Sequence, residues 1–196
     1  MKAAKLASST RNATRRRRGR TNASDRKRVI GRLKVFVVVD ATDASVRALQ
    51  YVGRILAGRK AVDCHLAYIA PRLPPALLES GGSELPEREE QIEANLRSEQ
   101  RRWTAMLDKK ATVVLRAAHT RLQRAGVAPA RIHTCVSSPL DARRTVDEVL
   151  LLAREADCRT VVVGHRAHTW FRGLGGGHLA EQLVRSAKGL AVWVID

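Results

Sequence analysis

The chain has 196 residues and a formal net charge of +17, from 36 Lys+Arg against 19 Asp+Glu. That length suits one ordinary domain with a tail, and two full domains would be cramped. Apolar residues make up 44% of the chain, which excludes wholesale disorder, and no apolar run approaches the ~20 residues of a membrane helix.

The charge is unevenly placed. Residues 1–33 carry 12 Lys/Arg and one acid, Asp25, for a net of +11, whereas residues 34–196 carry 24 basic and 18 acidic groups, for a net of +6. Arg15-Arg16-Arg17-Arg18, Arg20 and Arg26-Lys27-Arg28 are diluted by Ser, Thr, Ala and Asn. Isolated apolar residues cannot offset the entropy of ordering such a segment. Residues 1–32 are therefore expected to form a disordered basic arm, and 33–196 the folded domain. Three readings of the arm stay open: a solvated segment with salt-sensitive, non-specific attraction to nucleic acid, an Arg-rich transit peptide, or a translation start further along. The arm lacks the apolar core of a secretory signal. Base-specific recognition is disfavoured, because aromatics are 4% of the chain and none lies in the arm to stack on bases.

The body alternates two patterns. Lys34–Val39 is a β-branched apolar run, as a strand buried on both faces requires. Asp40-Ala41-Thr42-Asp43 supplies turn and helix-capping residues. Val46, Leu49, Gly53 and Leu56 then mark one face of a helix that stops near Gly58. Val62–Ala70 reads as a second strand, and the Pro- and Gly-rich residues 71–86 as a loop. From Glu87 to Arg124, apolar residues from Ile92 to Leu122 recur at multiples of three or four without a strict heptad, so a long amphipathic helix is expected rather than a coiled coil. Ile132–Ser137 is a third strand, residues around Val146–Ala153 a helix, and Thr160–Val163 a fourth strand. A glycine-rich loop from Gly164 to Gly177 leads to a short helix around Leu179–Ala187 and a last strand, Leu190–Ile195. Three scattered cysteines cannot all pair and suggest a reducing compartment. Cys64 and Cys135, within strands, read as small buried apolar residues.

Strands alternating with helices imply an α/β fold with a five-stranded parallel sheet, helices on both faces and right-handed crossovers. Ligands of such sheets bind beyond the carboxyl ends of the strands, at the switch point. Two segments occupy such ends: Asp40–Asp43 and Gly164–His178. The second contains no acid, and His165, Arg166, His168 and Arg172 add cationic character. Its glycines let backbone N–H groups approach an anion, and the helix that follows presents its positive dipole end. A plain strand-to-helix connection with tightly packed glycines explains the same composition equally well.

Taken together these residues resemble the universal stress protein family. The resemblance rests on Val37-Val38-Val39-Asp40-Ala41-Thr42-Asp43-Ala44-Ser45 and on a G-x2-G-x9-G-[S/T] frame after strand 4. It rests also on the ending Ser186-Ala187-Lys188-Gly189-Leu190-Ala191-Val192-Trp193-Val194-Ile195. It covers about residues 33–196. In the phosphate frame this chain has Gly164, Ala167, Gly177 and His178, so the spacing is kept while two of four residues differ. The resemblance implies strand order 3-2-1-4-5 and weak ATP binding in a regulatory or protective role. Asp40, Ala41 and Thr42 would lie near adenine and ribose, and the Tyr68 backbone would face the base. Gly164, Arg166, Ala167, Gly177 and His178 would line the phosphates. It also implies a homodimer through the last strand at Val192, Trp193 and Val194, and a cytoplasmic location. The alternative is a member that does not bind ATP and acts through an unknown protein partner.

Dedicated catalysis is not expected. Phosphoryl transfer needs Mg²⁺ ligands and a group to position the nucleophile, and the loop has no carboxylate. No GxxxxGK[ST] segment occurs, and no Ser-Gly-Gly pyrophosphate loop follows strand 1. Strand 3 ends Ser137-Ser138-Pro139 rather than in a phosphoacceptor Asp. No metal site is expected either, because His165, His168 and His178 lie on one loop with no evident fourth ligand.

Overall fold

Described over residues 32–78, 85–137, 144–165 and 179–196, the computed structural model of the protein is a doubly wound sheet. Strand β1 (Leu33–Val38) leads through helix α1 (Asp43–Leu56) to β2 (Val62–Tyr68). Helix α2 (Pro86–Arg124) leads to β3 (Ile132–Val136), α3 (Thr145–Glu155) to β4 (Thr160–Gly164), and α4 (Leu179–Ser186) to β5 (Ala191–Ile195). All strand pairs are parallel, as the alternation of strands and helices leads one to expect, and the order is β3-β2-β1-β4-β5, as the resemblance implies.

The period of two along each strand divides the core into two layers. Val35, Val37 and Val39 of β1 and its end lie with Cys64, Leu66 and Tyr68 of β2 and Val162 of β4, covered by α1 and α2. Phe36, Ala67, Val161 and Val163 lie on the other face, with Val146, Val149 and Leu150 of α3 and Leu183 of α4. Strands β1 and β4, covered on both sides, therefore carry near-continuous apolar runs, whereas β2 has Asp63 and His65 at alternate positions in its first half.

Strand boundaries differ from the sequence expectation by one residue in β1, β3, β4 and β5 and by two in β2. The β2 ladder ends at Tyr68 rather than Ala70, because the Ala70 N–H donates to the buried Ser137 Oγ at 2.8 Å instead of to a strand. Helix α1 starts at Asp43, three residues before its first periodic apolar residue, because Thr42 caps it. The long helix matches its expected span, yet its first buried residue is Leu107. Ile92, Leu96 and Trp103, the apolar stripe of its first half, are only half-buried. About 30 Å of helix therefore runs without a buried side chain.

Strand β5 forms one edge of the sheet. Trp193 is half-buried and meets the Tyr51 ring of α1 edge-on, with centroids 6.2 Å apart at 89°. Its side chain thus packs within its own chain, while Val194 on the opposite side is 40% exposed. The three cysteines are free thiols, and burial pushes Cys64 up to about 12 and Cys158 up to about 12. No helix among the described residues is long and apolar enough to cross a membrane.

Candidate functional site

The order β3-β2-β1-β4-β5 places the switch point between β1 and β4, at whose carboxyl ends doubly wound sheets form their ligand crevice. Asp40, just past β1, stands at its rim and is half-buried. Its Oδ1 accepts the Thr42 N–H at 2.9 Å and also the Thr42 hydroxyl. The Thr42 Oγ1 in turn accepts the Ser45 N–H at 3.3 Å, and the Ser45 Oγ accepts the Asp40 N–H at 3.0 Å. Aspartate closing a turn on the residue two ahead, followed by a threonine N-cap, is the local chemistry these residue types favour. Three side chains thus fix one another, and the turn that carries Asp40 is rigidly joined to the start of α1. Only Oδ1 is used. Among the described residues Oδ2 has no hydrogen-bond partner and is available to a ligand. Ala41, between them, is exposed.

Gly164 closes β4 directly beside this turn. A Cβ there would lie 2.4 Å from the Ala44 carbonyl oxygen, 2.5 Å from its carbon and 2.9 Å from the Ser45 nitrogen. No side chain fits between β4 and the first turn of α1, so packing alone demands glycine here. This locates one of the expected phosphate-loop glycines at the crevice and gives it a structural duty as well. The next residue, His165, is tied back to β5: its N–H donates to Ile195 O at 2.6 Å, and its Nδ1 lies 3.4 Å from Asp196 Oδ1. Arg166, Ala167, Gly177 and His178 lie outside the described residues.

Tyr68 is the last residue of β2, next to the end of β1. Its backbone carbonyl accepts the Ser137 N–H at 3.0 Å, so the backbone expected to face a base already serves the β2–β3 junction through one lone pair. The residue is only 1% exposed, and among the described residues its hydroxyl has no hydrogen-bond partner. Burial pushes that hydroxyl above its ordinary pKa, and the Asp40 carboxylate pushes it the same way.

Sequence reasoning missed Ser45 and Ser137 as organising residues. Ser45 sits three residues past the Thr42 N-cap, the position from which a side chain reaches back to a helix start, which is a usable signal. Ser137 joins β2 to β3 across 67 positions of sequence, and no local pattern reveals that. Among the described residues no group of three or more His, Cys, Asp or Glu side chains is placed to hold a metal ion.

A sequence model of the universal stress protein family matches residues 31–195. No protein among curated sequences matches the chain. Solved structures share the fold at low identity. A universal stress protein from Archaeoglobus fulgidus is 17% identical with a TM-score of 0.52, covering 84% of this chain and 93% of that one. The universal stress protein from the same organism in complex with dAMP is 15% identical with a TM-score of 0.52, covering 84% and 98%. A protein of this family from Burkholderia pseudomallei is 19% identical with a TM-score of 0.51, covering 85% and 97%. With the matched span reaching across the whole described sheet, the chain belongs to the universal stress protein family.

Proposed function

We propose that this chain binds an adenine nucleotide, ATP in the first instance, in the crevice between β1 and β4, and that it does so as a regulatory or protective module without dedicated turnover. The observation that carries the reading is Asp40. Its Oδ1 is fixed by Thr42, and Oδ2 is left without a partner among the described residues, at the switch point. A carboxylate so held accepts hydroxyl protons, the chemistry a ribose presents. The first turn of α1, closely backed by Gly164, adds the positive end of a helix dipole. A structure of this fold from Archaeoglobus fulgidus is described in complex with dAMP, a ligand of the same class.

The test is thermal unfolding with and without MgATP. At ATP tenfold above its Kd the native state gains about 1.4 kcal/mol. The Tm then rises by roughly 3–5 °C in a domain of this size. An unchanged Tm at millimolar ATP overturns the reading. It favours the alternative, an interaction module that binds no nucleotide, for which the first half of α2, burying none of its side chains before Leu107, offers the surface.

The proposed assembly is a two-fold dimer through β5. Ala191 N donates to Arg159 O, and Ile195 O accepts from His165 N, so residues 191, 193 and 195 turn their backbone groups toward β4. Alternate residues of an edge strand turn theirs outward, which leaves Val192 and Val194 for a second copy. Val194→Pro removes one outward N–H without touching the β4 ladder. Light scattering is expected to show monomers of unchanged fold, and a persistent dimer counts against β5 as the interface. Trp193→Asp is the poorer probe, because it also breaks the contact with Tyr51.

A further inference from the structure

The Tyr68 hydroxyl is a buried polar group with no hydrogen-bond partner among the described residues. Its residue is 1% exposed, and no backbone or side-chain atom of the described residues satisfies the oxygen. An unpaired hydroxyl in a core costs about 1–3 kcal/mol relative to a satisfied one. Phenylalanine would fill nearly the same volume without that cost, so packing does not account for tyrosine. The position is equally telling. Tyr68 ends β2, and the neighbouring strand is in register up to the crevice: Val39 N donates to Ala67 O at 2.9 Å, and Asp40 follows directly. The residue that carries the orphaned hydroxyl thus stands at the carboxyl end of the sheet, where ligands of doubly wound folds bind, and its phenol feels the charge of Asp40 across the strand ends.

We infer that Tyr68 is a specificity-determining residue of the nucleotide site, its side-chain hydroxyl donating a hydrogen bond to a ring nitrogen of the bound base. This rests on the adenine-nucleotide reading above and adds to it a contact from a side chain rather than from the β2 backbone. The donor role follows from the surroundings. Burial and the Asp40 carboxylate both hold the phenol in its protonated form, so it offers a proton to an acceptor. Purine ring nitrogens are such acceptors, and a base edge is planar enough to enter beside a strand end. Binding then satisfies a group that the free protein leaves unpaired, and discrimination against a base with no acceptor at that place is correspondingly large.

Tyr68→Phe tests this on the full chain with two readouts. Unfolding of the nucleotide-free variant is expected at an unchanged or slightly higher Tm, because no bond is lost and a desolvated hydroxyl is removed. Calorimetric titration is expected to show ATP affinity reduced roughly three- to tenfold, the worth of one hydrogen bond. UTP, competed against ATP, is expected to lose less, so that the preference for ATP narrows. A Tm lowered by several degrees overturns the inference, because the hydroxyl then has a partner inside the protein. Unchanged ATP affinity overturns it too, as does an equal loss for ATP and UTP. Failure of the unsubstituted chain to bind ATP is a different result: it removes the nucleotide reading itself, and this inference with it.

Discussion

Gly164→Ala is expected to destabilise the domain by about 3 kcal/mol, the upper end of the usual overpacking range. The added methyl would stand 2.4 Å from the Ala44 carbonyl oxygen, far inside contact distance, and its neighbours are backbone atoms that have no rotamer to escape into. The first turn of α1 cannot simply retreat. It is held by the Thr42 cap, and Thr42 is itself held by Asp40. Strand β4 cannot retreat either, since it is paired on both sides, with β1 and with β5. Gly189 makes the useful contrast. It has φ +77° and nothing within 4 Å of a built Cβ, so alanine there meets backbone strain without a clash. That strain is worth about 1–2 kcal/mol. Urea unfolding should show the midpoint of Gly164→Ala falling well below that of Gly189→Ala, with m unchanged for both. Equal midpoints would contradict the close approach of β4 and α1. Because the methyl pushes on the turn that carries Asp40, Gly164→Ala should weaken ATP binding as well.

Asp40→Ala carries the largest expected effect on binding. A hydrogen bond to a charged group contributes about 1.5–3 kcal/mol, so losing the carboxylate should weaken ATP binding roughly ten- to a hundredfold. The substitution also strips the acceptor from the Thr42 N–H and hydroxyl, at a cost near 1 kcal/mol in stability. Asp40→Asn separates the two roles. An amide oxygen can still accept from Thr42 and keep the turn, while the group facing the ligand is no longer an anion. Calorimetric titration of the three proteins is expected to rank affinity as Asp, then Asn, then Ala, with stability nearly equal for Asp and Asn. Undiminished ATP affinity in Asp40→Ala would remove this residue from the site.

The elements were legible because each is written in a local pattern. Val35–Val39 and Val161–Val163 are unbroken apolar runs, as strands covered on both faces favour. The spacing of Leu107, Ala111, Val114, Leu115, Ala118 and Leu122 gives one face of a helix. Asp40, Thr42 and Ser45 lie within six residues, so their mutual bonds are matters of short-range geometry and the turn was readable from residue types alone. The +17 that opens the sequence was equally readable as two quantities, a net of +11 in residues 1–33 and +6 in the remainder. It says more about what precedes the domain than about the crevice.

Long-range partners were not legible. Gly164 could be read as a glycine kept open for a phosphate. Only the sheet shows that Ala44, 120 positions earlier, occupies the space its side chain would need. Tyr68 was expected to offer its backbone to a base, but its unmet side-chain hydroxyl was not legible, because burial and an unpaired polar atom are properties of a surrounding volume and not of a neighbouring residue. The same holds for Ser137, which reaches across β2 and β3 to Ala70, and for Trp193, whose ring is taken up by Tyr51 of its own chain. Periodicity and capping act over one turn or one strand, so the sequence by itself determined the elements, their alternation and the turn at Asp40. Which side chains share the crevice, and which polar groups are left unmet there, depends on strands that meet only after the chain has crossed the sheet, and that was decided by the tertiary structure.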